Sequence, residues 1–524
     1  MSQIKKELDN VSIEQIENAP ESRLRRKLRE IKESIYHKPD KLENPLKLLI
    51  NINNTQRITF VAAFFGWTLD AFDFFCVSLT VTDIAKDFDV EPSAVTSAIT
   101  TTLMLRPIGA LIFGALADKF GRRWPLMIDI ILFSIINMAS GFAPNLKSFI
   151  ALRALFGIAM GGEWGLGASL ALEALPVEAR GIFSGIYQQG YACGYLLATL
   201  VNYAIVQTNS SWRIQFWVGA AFALLAIVIR FWVPESESFE KTKEARKILG
   251  RSILKETWVV LKNHWLRLIY MVILMAFMNF LSHGSQDLYP TFLTTQLKYT
   301  ASQKTSTSVI YNIGAICGGT IIGYYSTYFG RRLAIVVCAI MVGAFIPLWA
   351  YGPNIGSLQF GAFVLQFFVQ GAWGVIPAHI NELAPAAFRG LMPGLAYQLG
   401  NLISAASSQI EATIGESYPL KNEDGSLKLN AEGKAIANYG LTQSIFMGCV
   451  CACLIITVLV GKEERNRDFN VVELENEKSG GAVGPVDISE LSMEQGIAST
   501  SEKPKSVSSK TDANRSDLEI ENAK

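Results

Sequence analysis

Charge is scarce in this chain of 524 residues: Asp, Glu, Lys and Arg make up 18% of it, against 50% hydrophobic residues. The apolar residues gather in long runs, which excludes an ordinary water-soluble globule. Ten-residue stretches of alternating polar and apolar residues are also missing, and that excludes a membrane barrel. Backbone polar groups inside lipid are satisfied only in closed barrels or in helices, so helices remain. Histidine is scarcer still, with four residues. No nucleophile and base pair, metal-ligand cluster or phosphate loop can be assembled around His37, His264 or His379, so neither an enzyme nor a cofactor is expected. A net charge of +1 gives no footprint for nucleic acid or an acidic partner. The seven cysteines, Cys76, Cys193, Cys317, Cys338, Cys449, Cys451 and Cys453, lie inside apolar runs without the spacing of a disulfide framework or a zinc site. They read as small buried hydrophobes. The first 50 residues are polar and carry no apolar leader, so the first membrane helix is expected to direct insertion itself.

What is present is a series of apolar runs long enough to cross a bilayer as helices, each needing about 20 residues. The expected spans are 57–81, 93–117, 124–142, 149–172, 181–206 and 213–233, then 265–289, 304–326, 333–351, 357–380, 390–414 and 440–460. The chain therefore divides into a tail (1–56), a six-helix half (57–233), a charged connector (234–264), a second six-helix half (265–461) and a polar tail (462–524) that is expected to be disordered. Glycines interrupt the fifth and eleventh spans. One side collects the basic stretch from Arg23 to Lys32, Lys119, Arg122, Arg123, Arg180, the connector, Arg331, Arg332, Arg389 and Lys462, while the other holds only Lys86, Lys147, Arg213, Lys298 and Lys304 in its short loops. Basic loops stay inside, so both termini are expected to be cytoplasmic. The expected location is the plasma membrane, as a multi-pass protein. Asn209 opens an Asn-Ser-Ser sequon in a short outer loop close to the membrane.

The two halves repeat one another at a fixed shift. GALADKFGRR from Gly114 to Arg123 returns as GYYSTYFGRR from Gly323 to Arg332, a shift of 323 − 114 = 209. Gly162, Trp164 and Gly165 return as Gly371, Trp373 and Gly374. Glu173, Pro176, Arg180 and Gly181 return as Glu382, Pro385, Arg389 and Gly390, and Gly185 and Gln189 as Gly394 and Gln398. Six spans separate the copies, an even number, so both point the same way through the membrane. A parallel repeat of two six-helix halves, with substrate held between them near mid-membrane, is the transporter arrangement; a duplicated channel is the structural alternative.

GALADKFGRR closely resembles the loop signature between the second and third helices of the major facilitator superfamily, which implies an all-α membrane protein of twelve transmembrane helices. The seventh span is more specific. NFLSHGSQDLYPT matches the pattern of the fungal Jen-type carboxylate/proton symporters, with Asn279, Ser282, His283, Ser285, Gln286, Asp287 and Thr291 at the defined positions. NIGAICGG from Asn312 and AYQLGNLISAASSQIE from Ala396 also resemble that family. TLDAFDFF from Thr68 and GGEWG from Gly161 look more like the wider sialate and metabolite proton-symporter groups. The resemblance implies a proton-coupled importer of a small carboxylate, either a monocarboxylate such as lactate, pyruvate or acetate or a dicarboxylate such as succinate or malate.

The residues can be read for themselves. Asn279, His283, Gln286 and Asp287 follow at i, i+4, i+7 and i+8 along one helix face, with Pro290 placed to kink it beyond. Ionisable groups facing lipid are costly, so the stripe should face the bundle interior. His283 can donate a hydrogen bond or a charge to a carboxylate. Asp287 is the leading proton carrier, because a carboxyl that alternates between dry and wet settings binds and releases a proton; Asp70, Asp73 and Glu163 are the other acids available. Arg106, before Pro107, is the fixed cation deep in the first half, and its planar fork meets a carboxylate in two parallel hydrogen bonds. An internal ion pair with Asp70, Asp73 or Asp129 is the plainer alternative. Gln188, Gln189, Gln398 and Asn401 are neutral groups for selectivity, or equally for packing between helices. Asp118, Arg122, Arg123, Glu173 and Arg180, repeated as Arg331, Arg332, Glu382 and Arg389, sit at basic-side helix ends and read as a gate of partly solvated ion pairs. Partners are then a small carboxylate, protons and the bilayer, with turnover machinery acting on tail lysines. A non-transporting nutrient sensor on the same fold, or a carrier for another organic anion such as sialate, is the competing function.

Overall fold

Among the described residues, ten helical stretches are long and apolar enough to cross a membrane, judged by length and composition. The fifth and eleventh expected spans are the two outside that set; each is built from two helices, Arg180–Gln188 followed by Gly190–Gln207, and Leu391–Ser404 followed by Ser407–Ser417. In this computed structural model the described residues are 43–469 apart from 91, 209, 236–238, 241–242, 245–252, 290–291, 386–387, 423, 430–434, 466 and 468. The first 42 residues, residues 470–524 with the tail lysines, the sequon residue Asn209, and Pro290 and Thr291 of the seventh-span motif lie outside the described residues.

After a short entry helix, α1 (Pro45–Ile50), the first half runs α2 (Asn54–Asp87), α3 (Pro92–Phe120), α4 (Arg123–Ser140), α5 (Leu146–Met160) with α6 (Glu163–Glu173) as the fourth span, α7 (Arg180–Gln188) with α8 (Gly190–Gln207) as the fifth, and α9 (Arg213–Phe231). The second half runs α10 (Ile253–Gln286), α11 (Ala301–Phe329), α12 (Arg331–Tyr351), α13 (Ile355–Leu383), α14 (Leu391–Ser404) with α15 (Ser407–Ser417), and α16 (Tyr439–Val460). Local chemistry fixes the ends. Asn53 caps α2, accepting from the Gln56 backbone N–H at 2.8 Å while the Gln56 side chain accepts from the Asn53 N–H, and Thr300 with Gln303 does the same for α11. The repeated glycines Gly121 and Gly330 end the second and eighth spans with φ of 100° and 105°, a conformation that only glycine adopts without strain.

The repeat is visible in the packing. Within the first half the second span packs on the fourth, the first on the fifth and sixth, and the third on the sixth; within the second half the eighth packs on the tenth, the seventh on the eleventh and twelfth, and the ninth on the twelfth. Between halves, the second span meets the eleventh and the fifth meets the eighth, two contacts that the repeat exchanges. Leu200, Leu224, Val228, Ile456 and Val460 point outward and exposed, a surface that a bilayer covers. Cys76, Cys338 and Cys451 are buried as expected, but Cys449 and Cys453 are exposed on α16, so burial is not a property of all seven cysteines. The loop before α16 carries isolated antiparallel bridges, such as Pro419 with Ala437.

Candidate functional site

A cavity lies between the halves. From the first half it is lined by Trp67, Asp70 and Phe74 on α2, Leu103 and Arg106 on α3, Met160, Gln188 and Tyr191; from the second by Asn279, Ser282 and His283 on α10, Gln370 and Trp373 on α13, and Tyr397 and Asn401 on α14. Its empty space is about 510 Å³ counting the mouth. The halves close beneath it on the basic side. Asp118 accepts a hydrogen bond from the Gly390 backbone N–H at 3.2 Å, and Ser184 donates to the Gly374 carbonyl at 2.7 Å while accepting from the Ala378 N–H at 3.0 Å. The repeated glycines let backbones meet here: a Cβ on Gly165 would collide with Gly394 Cα, and one on Gly185 with the Gly319 carbonyl. On the other side α15 packs on α10 and α16 of its own half.

Arg106 is the cation of this cavity. Its Nη2 donates to Asp70 Oδ2 at 3.3 Å, its Nε and Asp70 Oδ1 have no hydrogen-bond partner among the described residues, and the guanidinium lies 6.0 Å from the centre of the Tyr397 ring. Of the three acids weighed for Arg106, the pairing is thus with Asp70. A single-point pair leaves part of the fork for an anion. Tyr397 in turn stacks on Trp164 at 4.3 Å and meets Trp373 edge-on at 6.0 Å, so two tryptophans that recur in the repeat, one from each half, grip one ring.

The other candidates divide. On α10, Asn279, Ser282 and His283 line the cavity, and His283 Nδ1 lies 3.2 Å from Asp287 Oδ2; the Asp287 side chain is 38% exposed and stands just past the helix end. Gln286 leaves the stripe, donating through Nε2 to Gln366 Oε1 on α13 at 3.1 Å. Gln188 lines the cavity and accepts from Trp164 Nε1 at 3.2 Å, whereas Gln189 donates to the Gly185 carbonyl in its own span. Asn401 lines the cavity and donates to Gln398 Oε1; Gln398 reaches across to the Gly161 carbonyl of the other half. Asp73 faces the inside of the first half, where Asn137 donates to it at 2.8 Å and Arg153 binds Asn137 at 2.9 Å. Glu163 pairs there with Arg230 at 3.5 Å, beside the buried Asp129. Asp70 is therefore the one acid of the first half, among the four weighed, that lines the cavity.

The basic-side charges differ from partly solvated pairs. Arg122 with Glu173 (3.1 Å) and Arg331 with Glu382 (3.0 Å) are buried, and each pair lies within one half. Arg123 donates to the Phe231 carbonyl and Arg332 to those of Val458 and Leu459, tying the third span to the sixth and the ninth to the twelfth. Arg180 and Arg389, from different halves, both lie over the Phe469 ring, at 3.7 and 4.0 Å. Glu463, just past α16, caps α12 by accepting from the Arg331 and Arg332 backbone N–H groups; burial pushes its carboxyl up, and those two donors pull against the shift. Trp67, Tyr191 and Gln370 carry no sequence signal that sets them apart; Tyr397 lies in the AYQLGN stretch and Trp373 in the repeat, and neither was singled out for the site.

A Major Facilitator Superfamily profile matches residues 63–408, and the chain belongs to that family. It is 36% identical over 431 residues to a carboxylic acid transporter protein homolog of Saccharomyces cerevisiae, covering 78% of this chain and 69% of that one. It is 27% identical over 413 residues to the sialic acid transporter NanX of Escherichia coli, covering 78% and 95%. The crystal structure of a double tryptophan mutant of XylE matches with a TM-score of 0.62 at 18% identity, covering 78% of this chain and 97% of that one, a likeness of fold. The chain is a multi-pass membrane transporter and not an enzyme.

Proposed function

We propose that the protein is a proton-coupled symporter that imports short-chain carboxylates across the plasma membrane, with both termini cytoplasmic. The carrying observation is Arg106, a guanidinium fork lining a cavity shared by both halves, held at one point by Asp70 and with its buried Nε lacking a hydrogen-bond partner among the described residues. The yeast relative, a carboxylic acid transporter homolog, supports the anion class. His283, Asn279, Ser282 and Asn401 stand on the opposite wall to bind the remaining oxygens, with Gln188 beside Arg106. Asp70 is released as the substrate carboxylate takes its place on Arg106, and Asp287, bonded to His283 at the mouth, exchanges the proton with water. Gln189, Gln286 and Gln398 act by holding lining helices in place, and Asp73 and Glu163 are reserve acids within the first half.

The gate is the seam on the basic side, with Asp118 on Gly390 and Arg180 and Arg389 on Phe469 as contacts that open, while Arg122, Arg123, Glu173, Arg331, Arg332 and Glu382 keep each half intact. Lysines of the C-terminal tail serve turnover machinery, and removing the tail should lengthen surface lifetime. Reconstituted vesicles test the main reading. Labelled lactate or succinate should accumulate under an imposed inward proton gradient and alkalinise the outside; uptake indifferent to the gradient ends the coupling, and no uptake at all leaves a sensor. The sialic acid relative favours one rival substrate, and sialate competing better than lactate or succinate would select it.

A further inference from the structure

The eleventh span carries a buried acid that the transport reading above does not use. Glu411 is fully buried on α15, and neither of its carboxyl oxygens has a hydrogen-bond partner among the described residues. Its surroundings are specific. A Cβ on Gly284 would lie 3.0 Å from Glu411 Oε1 and 2.6 Å from the Phe446 ring, so the absence of a side chain in the turn between His283 and Asp287 is what admits the carboxyl. Asp287, just past the end of α10, acts on it electrostatically, with His283 behind Asp287, and from α16 the neutral amide of Gln443 faces the carboxyl as its polar neighbour, outside hydrogen-bonding geometry. α10 and α16 are the helices packed on α15. No cation pairs with Glu411 among the described residues.

A carboxyl buried in such a place beside a second acid, with no cation near it, is costly as a bare anion and suited to take up a proton. The Asp287 side chain, one helical turn beyond His283, is 38% exposed and so open to exchange with water. The eleventh span is broken at Ala405 and Ala406, immediately before α15, which lets the Glu411 segment move apart from the cavity-lining α14.

We propose that Glu411 is a proton-loading site of the second half, filled from outer water through Asp287 and emptied when α15 moves. One proton passes from water to the Asp287 carboxylate and on to Glu411; Asp287 returns to its charged form beside His283, and the protein has gained one proton. The proposal rests on the proton-coupled reading, and the test separates the two. In vesicles, wild-type protein with no gradient-driven uptake ends both. With a responsive wild type, Glu411→Gln, which mimics the neutral acid and should fold, is expected to lose gradient-driven accumulation and its proton influx while still exchanging internal for external labelled carboxylate; Glu411→Asp should restore part of the drive. Wild-type drive in Glu411→Gln overturns the proposal and leaves proton coupling standing. Should Glu411→Gln lose exchange too, the unmodified protein decides: a hydrophobic carbodiimide, which reacts with protonated buried carboxyls, should label Glu411 at neutral pH and do so less as the pH is raised. An unlabelled Glu411 overturns the proposal.

Discussion

A charge buried in an apolar helix must face something polar, and that rule marks Arg106, His283, Asp287, Asp70, Asp73 and Glu163 alike from the sequence. It does not say which interior each one faces: Arg106, Asp70 and His283 line the cavity between the halves, whereas Asp73 and Glu163 find Asn137 and Arg230 inside the first half. The amides were not legible in the same way. Gln188 lines the cavity and its neighbour Gln189 bonds within its own span, a difference of one residue's rotation that composition does not reveal. Tyr397 was equally hidden, because an aromatic ring in an apolar span looks like packing until its partners are known. The prediction at this scale concerns Arg106→Lys. Lysine keeps the charge and loses the fork, so one charge-assisted hydrogen bond to the substrate disappears, a loss of about 1.5–3 kcal/mol, on the order of ten- to a hundredfold in affinity. Equilibrium binding of labelled carboxylate to correctly inserted protein measures it, and unchanged affinity would count against direct recognition by Arg106.

Helix ends and breaks were partly legible. The fifth run breaks at Gln189, beside a glycine, but the eleventh breaks at Ala405 and Ala406 with Gly400 inside an unbroken helix, and the fourth breaks at Gly161 and Gly162 where no interruption was expected; the GRR motifs end spans at Gly121 and Gly330. What the sequence did not show is that three of the four arginines beside those glycines, Arg122, Arg331 and Arg332, are buried. The motif arginines bond carbonyls and acids beneath the loops, and residue type alone does not tell a covered loop from an open one. Gly330 combines φ 105° with ψ 145°, a region that is essentially glycine's alone, so Gly330→Ala is expected to cost about 1–3 kcal/mol. Gly343, mid-helix in α12, is the control: a Cβ added there would meet nothing within 4 Å, and Gly343→Ala should stabilise by up to about 1 kcal/mol through helix propensity. Thermal unfolding in detergent reads both; equal midpoints would refute the backbone argument.

At the scale of the molecule, the constant shift of 209 residues made the two-half plan readable, and the spans pair off in the same way in each half. The buried pairs Arg122 with Glu173 and Arg331 with Glu382 each stay inside one half, and breaking either would strand a buried charge at about 3–5 kcal/mol. Each half should then move as a rigid body, with the glycine seam as the place where they part. Gly165→Ala sets a methyl group against Gly394 and should hold the basic side ajar. Amide exchange at Gly390 and along α14 should quicken and transport should fall; wild-type exchange and uptake together would show that the seam is not the gate. Tyr397 adds a consequence of a different kind. Because its ring is pressed by Trp164 from one half and Trp373 from the other, parting the halves changes the surroundings of two indoles at once, so the native ultraviolet emission of the unlabelled protein can serve as a clock for the transport cycle.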